Sequence, residues 1–208
     1  MINHMQSLQR TGIDLQCVLD IGSYHGQFGD MIHTVWPQSK VISIEANAEH
    51  QSINPLQITA CLSMLPNQWV NYYHLPRGHI NTGASYYREN THWYNNPEIT
   101  PLKTTTLDLL YAQYKWSYAW HAHGLVKLDT QGSELDILHG SQIFLREQQP
   151  RFILCEVSHQ PYNLGAPHAS QVVAWLFHQG YDWLDTWDEF RSPHNMLLQS
   201  DILFARRT

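Results

Sequence analysis

A glycine-rich turn after a short apolar run carries the clearest chemical signal in this chain. The turn begins at Asp20 and Ile21, continues through Gly22 and Ser23, and closes with Gly26. Apolar residues recur at helical spacing immediately afterwards. A strand, a glycine turn and a helix in this order place backbone N–H groups and the positive end of the helix beside a bound ligand. The segment therefore predicts a site for a nucleotide-type cofactor.

The spacing of the glycines narrows the choice of cofactor. A dinucleotide site reads G-x-G-x-x-G, whereas Ser23 and Tyr24 stand in the place of the second glycine here. Asp20 is a poor neighbour for a pyrophosphate, but a carboxylate complements the sulfonium and ammonium charges of S-adenosylmethionine. The turn thus favours S-adenosylmethionine over NAD, with a purely structural turn as the remaining alternative.

Acidic residues stand at or near the ends of several predicted strands, namely Asp20, Glu45, Asp129 and Glu156. Ligands of an open α/β sheet bind beyond the carboxyl ends of its strands, and an acid such as Glu45 after the second strand can accept hydrogen bonds from ribose hydroxyls. Glu156 lies in an apolar strand, where an unpaired carboxylate is costly, so a functional role is favoured. Asp20 and Asp129 have an alternative role as helix caps.

Composition indicates one α/β domain over residues 1–208. The formal charge of −6, from 12 Lys and Arg against 18 Asp and Glu, offers no basic field for nucleic acid. The three cysteines fall in apolar runs, which indicates buried reduced thiols. The sequence has neither a membrane-spanning apolar stretch nor a signal-peptide core, so we expect a cytoplasmic protein without a membrane span.

The order of elements predicts a parallel sheet with right-handed crossovers. Strands are expected at 17–21, 40–45, 58–62, 125–129, 152–157, 181–186 and 196–205, the last two as an antiparallel edge, and helices at 26–35, 107–114, 134–138 and 168–179. Residues 66–104 interrupt this order with a hairpin, about 69–74 with 101–105, around a long excursion. Excursions of this length in a compact domain are usually functional or disordered.

The excursion is rich in aromatic residues, among them Tyr86, Tyr87 and Trp93, in polar company. Such side chains could stack on the ring of a sugar or polyketide, line a partner interface, or merely cover the edge of the sheet. We expect the excursion to form the acceptor site.

Several motifs together resemble the FkbM family of S-adenosylmethionine-dependent methyltransferases. They are the turn 18–26, the segment Thr105-Thr106-Leu107-Asp108, the block K-x-D-x-x-G-x-E-x-x-x-L-x-G over 127–140, Leu154-Cys155-Glu156-Val157, and the Gly/Ser segment 81–85. The resemblance implies a class I methyltransferase (Rossmann-like) fold. Its sheet would be seven-stranded and mostly parallel, with an antiparallel last strand and helices on both faces.

The resemblance also implies roles for individual residues. The cofactor would contact Asp20, Ile21, Gly22, Ser23, Gly26, Glu45, Ala46, Asn47, Cys61, Leu62, Asp129 and Gln131. Asp129, Glu156 and His159 are candidate bases, and Asp129 is preferred because it follows the strand nearest the methyl donor in the family's layout. Glu134 would orient the substrate or stabilise the start of a helix. No metal is expected.

The predicted activity is S-adenosylmethionine-dependent O-methylation of a hydroxyl on a sugar, polysaccharide or polyketide-type product. The partner would be a small-molecule or glycan acceptor, and the oligomeric state stays open. The alternative is a catalytically inactive binding protein with the same fold, since fold alone does not fix function.

Overall fold

The computed structural model describes residues 1–50, 56–116 and 118–207. Its strands are β1 (Cys17–Ile21), β2 (Lys40–Glu45), β3 (Gln57–Thr59), β4 (Cys61–Leu62), β5 (Trp69–His74), β6 (Glu98–Thr105), β7 (Gly124–Leu128), β8 (Phe152–Ser158), β9 (Tyr181–Arg191) and β10 (Leu197–Arg206). Its helices are α1 (Ile2–Arg10), α2 (Gln27–Val35), α3 (Leu107–Tyr114), α4 (Trp120–His123), α5 (Glu134–His139), α6 (Gln142–Gln148) and α7 (Ala169–His178), with a 3₁₀ turn at His92–Tyr94.

The main sheet has seven strands in the order β3-β2-β1-β7-β8-β10-β9. Neighbouring strands from β3 to β8 are parallel, and β10 is antiparallel to both β8 and β9. The predicted fold class is therefore confirmed. The strand order reverses between β1 and β7, which is where a sheet of this kind opens a crevice for ligands.

The predicted third strand, 58–62, is wrong as a single element. β3 pairs with β2 in the main sheet, but β4 pairs with β6 in a second, three-stranded sheet of order β4-β6-β5. The chain changes sheets at Ala60, whose N–H donates to the Glu45 carbonyl at 2.9 Å. The chain forms a hairpin at the expected place, since β5 pairs antiparallel with β6 from Trp69 opposite Lys103 to His74 opposite Glu98. The second strand therefore pairs over 98–103 instead of the expected 101–105.

Side chains alternate between two buried layers, one on each face of the main sheet. Leu19 and Leu128 pack with α3 and α5 to α7 on one face, and Val18 and Leu125 pack with α1 and α2 on the other. No helix in the described residues is long and apolar enough to cross a membrane.

Helix α6 is absent from the sequence-based prediction, and its cap explains why. The Asp108 carboxylate, at the start of α3, accepts hydrogen bonds from the backbone N–H groups of Ile143 (3.0 Å) and Phe144 (2.8 Å). A side chain 35 residues away in sequence from Ile143 thus satisfies the free N–H groups at the start of α6. Phe144 itself is fully buried in the core.

We predict that Phe144→Ala lowers the free energy of unfolding by about 3–5 kcal/mol, because it leaves a cavity in the core. Its neighbour Ile143, 44% exposed, provides the control, and Ile143→Ala should change stability by only about 0.5 kcal/mol. Urea denaturation of the two variants measures both values, and equal losses would contradict the packing described above.

Candidate functional site

A cavity of about 370 Å³ opens at the carboxyl ends of β1, β2, β7 and β8. The following predicted site residues line it: Ile21, Gly22, Glu45, Ala46, Cys61, Leu62, Tyr86, Asp129, Gln131 and Glu156. Residues from the excursion and from the last strands complete the wall, among them Asn81 to Tyr86, Glu89, Tyr162, Phe190 and Gln199. The ends of the strands and the excursion thus line one and the same cavity.

The glycine turn after β1 is shaped by a close backbone approach. Gly22 has a φ of +76°, and a Cβ on it would lie 1.8 Å from the Asp129 carbonyl oxygen. Only glycine therefore lets this turn pack against the segment that follows β7. Gly26 caps α2 in the left-handed conformation, with a φ of 88°. Ser23 is buried, and within the described chain its hydroxyl has no hydrogen-bond partner.

Backbone N–H groups hold the Glu45 carboxylate in the wall of the cavity. Its Oε2 accepts a hydrogen bond from the N–H of Tyr24 at 2.9 Å, and its Oε1 accepts one from the N–H of Asn47 at 2.8 Å. Each carboxylate oxygen can accept a further hydrogen bond. Ala46 lines the cavity, whereas Asn47 is not among the residues that do.

A buried lysine joins the ends of β1 and β7. Lys127 Nζ lies 2.9 Å from Asp129 Oδ2 and 3.6 Å from Asp20 Oδ1. Burial raises the pKa of Asp20 to about 6, although the Lys127 charge opposes this rise. Burial would lower the pKa of Lys127, but the charges of Asp129 and Asp20 raise it above its usual value. Asp20 faces this lysine and does not line the cavity.

Gln131 connects two of the cavity's carboxylates. Its Nε2 donates to Asp129 Oδ1 at 3.2 Å and to Glu156 Oε2 at 2.7 Å. Gln199 Nε2 donates to the same Glu156 oxygen at 3.1 Å. Burial raises the pKa of Glu156 well above its ordinary value, and the charge of Asp129 adds to the rise. Sequence reasoning missed Gln199, because only the pairing of β10 with β8 brings it here.

Glu134 holds the backbone of the loop that carries Gln131. Its Oε1 accepts from the N–H of Thr130 at 2.7 Å, and its Oε2 accepts from the N–H of Gly132 at 3.0 Å. Burial raises the pKa of Glu134 to about 7. Because Glu134 is not among the cavity-lining residues, the geometry favours its structural role over a direct contact with substrate.

Two adjacent tyrosines fasten the excursion to α5. The hydroxyls of Tyr86 and Tyr87 both donate to Asp136 Oδ2, at 3.0 Å and 2.9 Å. Tyr86 lines the cavity, Tyr87 does not, and Trp93 is 65% exposed outside it. Glu89, which sequence reasoning missed, is buried in the cavity wall. The excursion therefore contributes to the chamber mainly through residues near 81–89.

His159 is not brought to the cavity. Its Nε2 lies 2.8 Å from the hydroxyl of Ser200 on β10. Side chains alternate along a strand, so Ser200 points to the face of the sheet opposite to Gln199. In the described residues, no group of His, Cys, Asp and Glu is placed to hold a metal ion.

A model of one protein family matches most of this chain. The model described as the methyltransferase FkbM domain matches residues 20–183. The chain belongs to the FkbM methyltransferase family. The matched range runs from Asp20, at the end of β1, to Trp183 in β9, and so contains Glu45, Asp129 and Glu156. No curated protein matches the chain.

A solved structure has the same fold at low sequence identity. A methyltransferase FkbM from Methylobacillus flagellatus KT aligns with 92% of this chain at 13% identity and a TM-score of 0.53. This chain spans 44% of the length of that one. A precorrin-6y C5,15-methyltransferase from Geobacter metallireducens GS-15 aligns with the full chain at 11% identity, covering 87% of its own length, with a TM-score of 0.48.

The region around the carboxyl ends of the strands contains more carboxylates than the single positive charge of the buried Lys127 can neutralise. Asp201 on β10 lies opposite Glu156 on β8. Burial, together with the charge of Asp129, raises the pKa of Asp201 to about 7. A carboxyl with a raised pKa in the folded state stabilises the fold at low pH, and this contribution is lost as the pH rises through the folded-state value.

We predict that Asp201→Asn flattens the fall in unfolding free energy between about pH 4 and pH 7. Over this range the unfolding free energy of wild type should fall by on the order of 1–3 kcal/mol more than that of the variant. The reason is that wild type has a carboxyl group at this position that must ionise in a buried site, and the variant has none. Urea denaturation at several pH values measures the difference. Asp188→Asn, at the exposed position opposite Asp201, is the comparison variant and should have only a smaller effect, because the Asp188 charge is one of the lesser causes that raise the pKa of Asp201. An effect as large in that variant would refute the assignment.

Proposed function

We propose that this protein transfers the methyl group of S-adenosylmethionine to a hydroxyl of a sugar, polysaccharide or polyketide-type acceptor. The observation that carries the proposal is the Glu45 carboxylate. It is fixed by two backbone N–H groups and lines the same cavity as Asp129, Gln131 and Glu156. An acid suited to binding the ribose, Glu45, and a group of carboxylates thus line one cavity, next to the point where the strand order reverses.

The residues present fit this cofactor. Glu45 suits the ribose hydroxyls, since each of its oxygens can accept a further hydrogen bond. Apolar side chains of the cavity wall, such as Ile44 and Leu62, suit the adenine ring. The Asp129 carboxylate suits the positive charges of the methionine part. When bound, S-adenosylmethionine supplies an electrophilic methyl group on a sulfonium.

The charge of the cavity wall supports an uncharged acceptor. Glu45, Glu89, Asp129 and Glu156 line the cavity, and its described lining includes no Lys or Arg. A phosphorylated acceptor would be repelled by these carboxylates, whereas hydroxyls donate readily to carboxylates. The aromatic rings of Tyr162 and Phe190, whose centroids are 5.7 Å apart, add a surface on which a ring can stack.

Glu156 is the carboxylate best suited to accept the proton of the acceptor hydroxyl. A general base works best when its pKa is near the ambient pH, and burial raises the pKa of Glu156. Gln131 and Gln199 hold its Oε2 in place. Asp129, in contrast, forms an ion pair with Lys127, which favours a role in orientation and in charge complementarity. His159 lies outside this cavity.

We predict that the purified protein binds S-adenosylhomocysteine and that Glu45→Gln weakens binding about tenfold or more, because it removes a charged acceptor of hydroxyl protons. Isothermal calorimetry measures both affinities. Glu49→Gln, which alters an exposed acid paired with Arg77, is the matched control and should bind like wild type. A folded wild-type protein that fails to bind would exclude the proposed cofactor.

We predict that Glu156→Gln lowers kcat about 10²–10⁴-fold, the range expected for loss of a general base, while the variant still binds S-adenosylhomocysteine. Release of S-adenosylhomocysteine, measured with methyl glycosides and with sugar phosphates as acceptors, reports turnover. Neutral acceptors should be preferred, and Glu98→Gln, at an exposed position, should leave turnover unchanged. Cofactor binding with no turnover of any acceptor would favour an inactive binding protein.

A further inference from the structure

The turn after β2 fixes the orientation of a buried histidine. The backbone N–H of Glu49 donates to Asn47 Oδ1 at 3.0 Å, so the other end of that amide is its NH₂ group. This NH₂ group lies 3.2 Å from His50 Nε2. An NH₂ group can only donate, and His50 Nε2 must therefore accept. The hydrogen-bond network assigns the ring proton of His50 to Nδ1.

That Nδ1–H group is a buried donor without a hydrogen-bond partner among the described residues. The His50 side chain is 8% exposed, and Nδ1 lies 3.7 Å from Glu45 Oε1, too far for a direct hydrogen bond. The ring packs edge-on against Tyr24, with centroids 4.5 Å apart. A buried donor left unsatisfied destabilises the fold. Such a group calls for a partner, and His50 lines the cavity.

We propose that His50 is a cofactor-binding residue, whose Nδ1–H donates to a ribose hydroxyl oxygen while Glu45 accepts a hydrogen bond from a ribose hydroxyl group. This inference rests on the proposed function, because it assigns a second residue to the same cofactor site. A vicinal diol presents both donors and acceptors, so a carboxylate and an N–H donor side by side complement it better than a carboxylate alone. Glu45 and His50 together would therefore recognise the two neighbouring hydroxyl groups of the ribose.

The family resemblance implies that Asn47 contacts the cofactor, and the geometry favours His50 for the contact with the ribose. The Asn47 side-chain amide is already used by Glu49 and His50, and Asn47 does not line the cavity. Asn47 is thus a positioning residue, which orients the imidazole so that Nδ1 faces Glu45.

Two substitutions separate cofactor binding from a structural role. In His50→Asn, the side-chain amide can replace Nδ1, whereas in His50→Gln it can replace Nε2 and keep the contact with Asn47. We expect His50→Asn to bind S-adenosylhomocysteine within about threefold of wild type and His50→Gln to bind about tenfold more weakly. Calorimetry measures the affinities, and His121→Gln, at an exposed position, is the control.

Deoxy analogues identify the hydroxyl group. One of the two analogues, 2′-deoxy or 3′-deoxy S-adenosylhomocysteine, lacks the hydroxyl group that His50 contacts. Wild type and His50→Gln should bind that analogue with equal affinity, because the hydrogen bond is then missing in both. A merely structural role would give the reverse order, with His50→Gln close to wild type and His50→Asn impaired, and would overturn the inference. If wild type itself does not bind S-adenosylhomocysteine, the proposed function fails and this inference fails with it.

Discussion

The ion pairs of Lys127 hold together the part of the sheet on which the site depends. Asp20 lies one residue before the end of β1, Asp129 follows β7, and Lys127 Nζ lies 3.6 Å from the first carboxylate and 2.9 Å from the second. A buried cation is tolerated only when such partners surround it, and removing one partner of a buried pair is strongly destabilising. The backbone of Asp129, against which Gly22 packs, is held by a hydrogen bond from its N–H to the Ile21 carbonyl at 3.1 Å. The ion pairs and this hydrogen bond together join the ends of β1 and β7, where Gly22 and Asp129 line the cavity.

The part of the cavity that we propose for the cofactor was predictable from the sequence because its residues follow local signals. Strand ends, glycine turns and acids in apolar runs sit close together in the chain, and β1, β2 and β7 bring Gly22, Glu45 and Asp129 to the cavity. The motifs that the chain shares with the FkbM family also include Gly22 and Asp129. The fold followed for the same reason, since apolar strands separated by helices leave few alternatives to a parallel sheet.

The remaining features depend on contacts between distant segments. The cap of α6 comes from Asp108, and Gln199 reaches Glu156 only through the pairing of β10 with β8. The change of sheet at Ala60 depends on β6, which lies about forty residues further along the chain. No local pattern encodes such contacts. The excursion is the extreme case, because its cavity-lining residues, such as Glu89, follow no periodicity that distinguishes them from exposed neighbours.

The attachment of Tyr86 and Tyr87 to Asp136 has a consequence for the evolution of the protein. It anchors the excursion to α5, the helix that begins just after Gln131, at a point outside the segments that contribute Glu45. Substitutions elsewhere between β5 and β6 can therefore change the wall of the cavity while this anchor keeps the excursion in place beside Asp129 and Glu156. A fold anchored in this way can alter the shape of its cavity without rebuilding the carboxylate cluster at the ends of its strands.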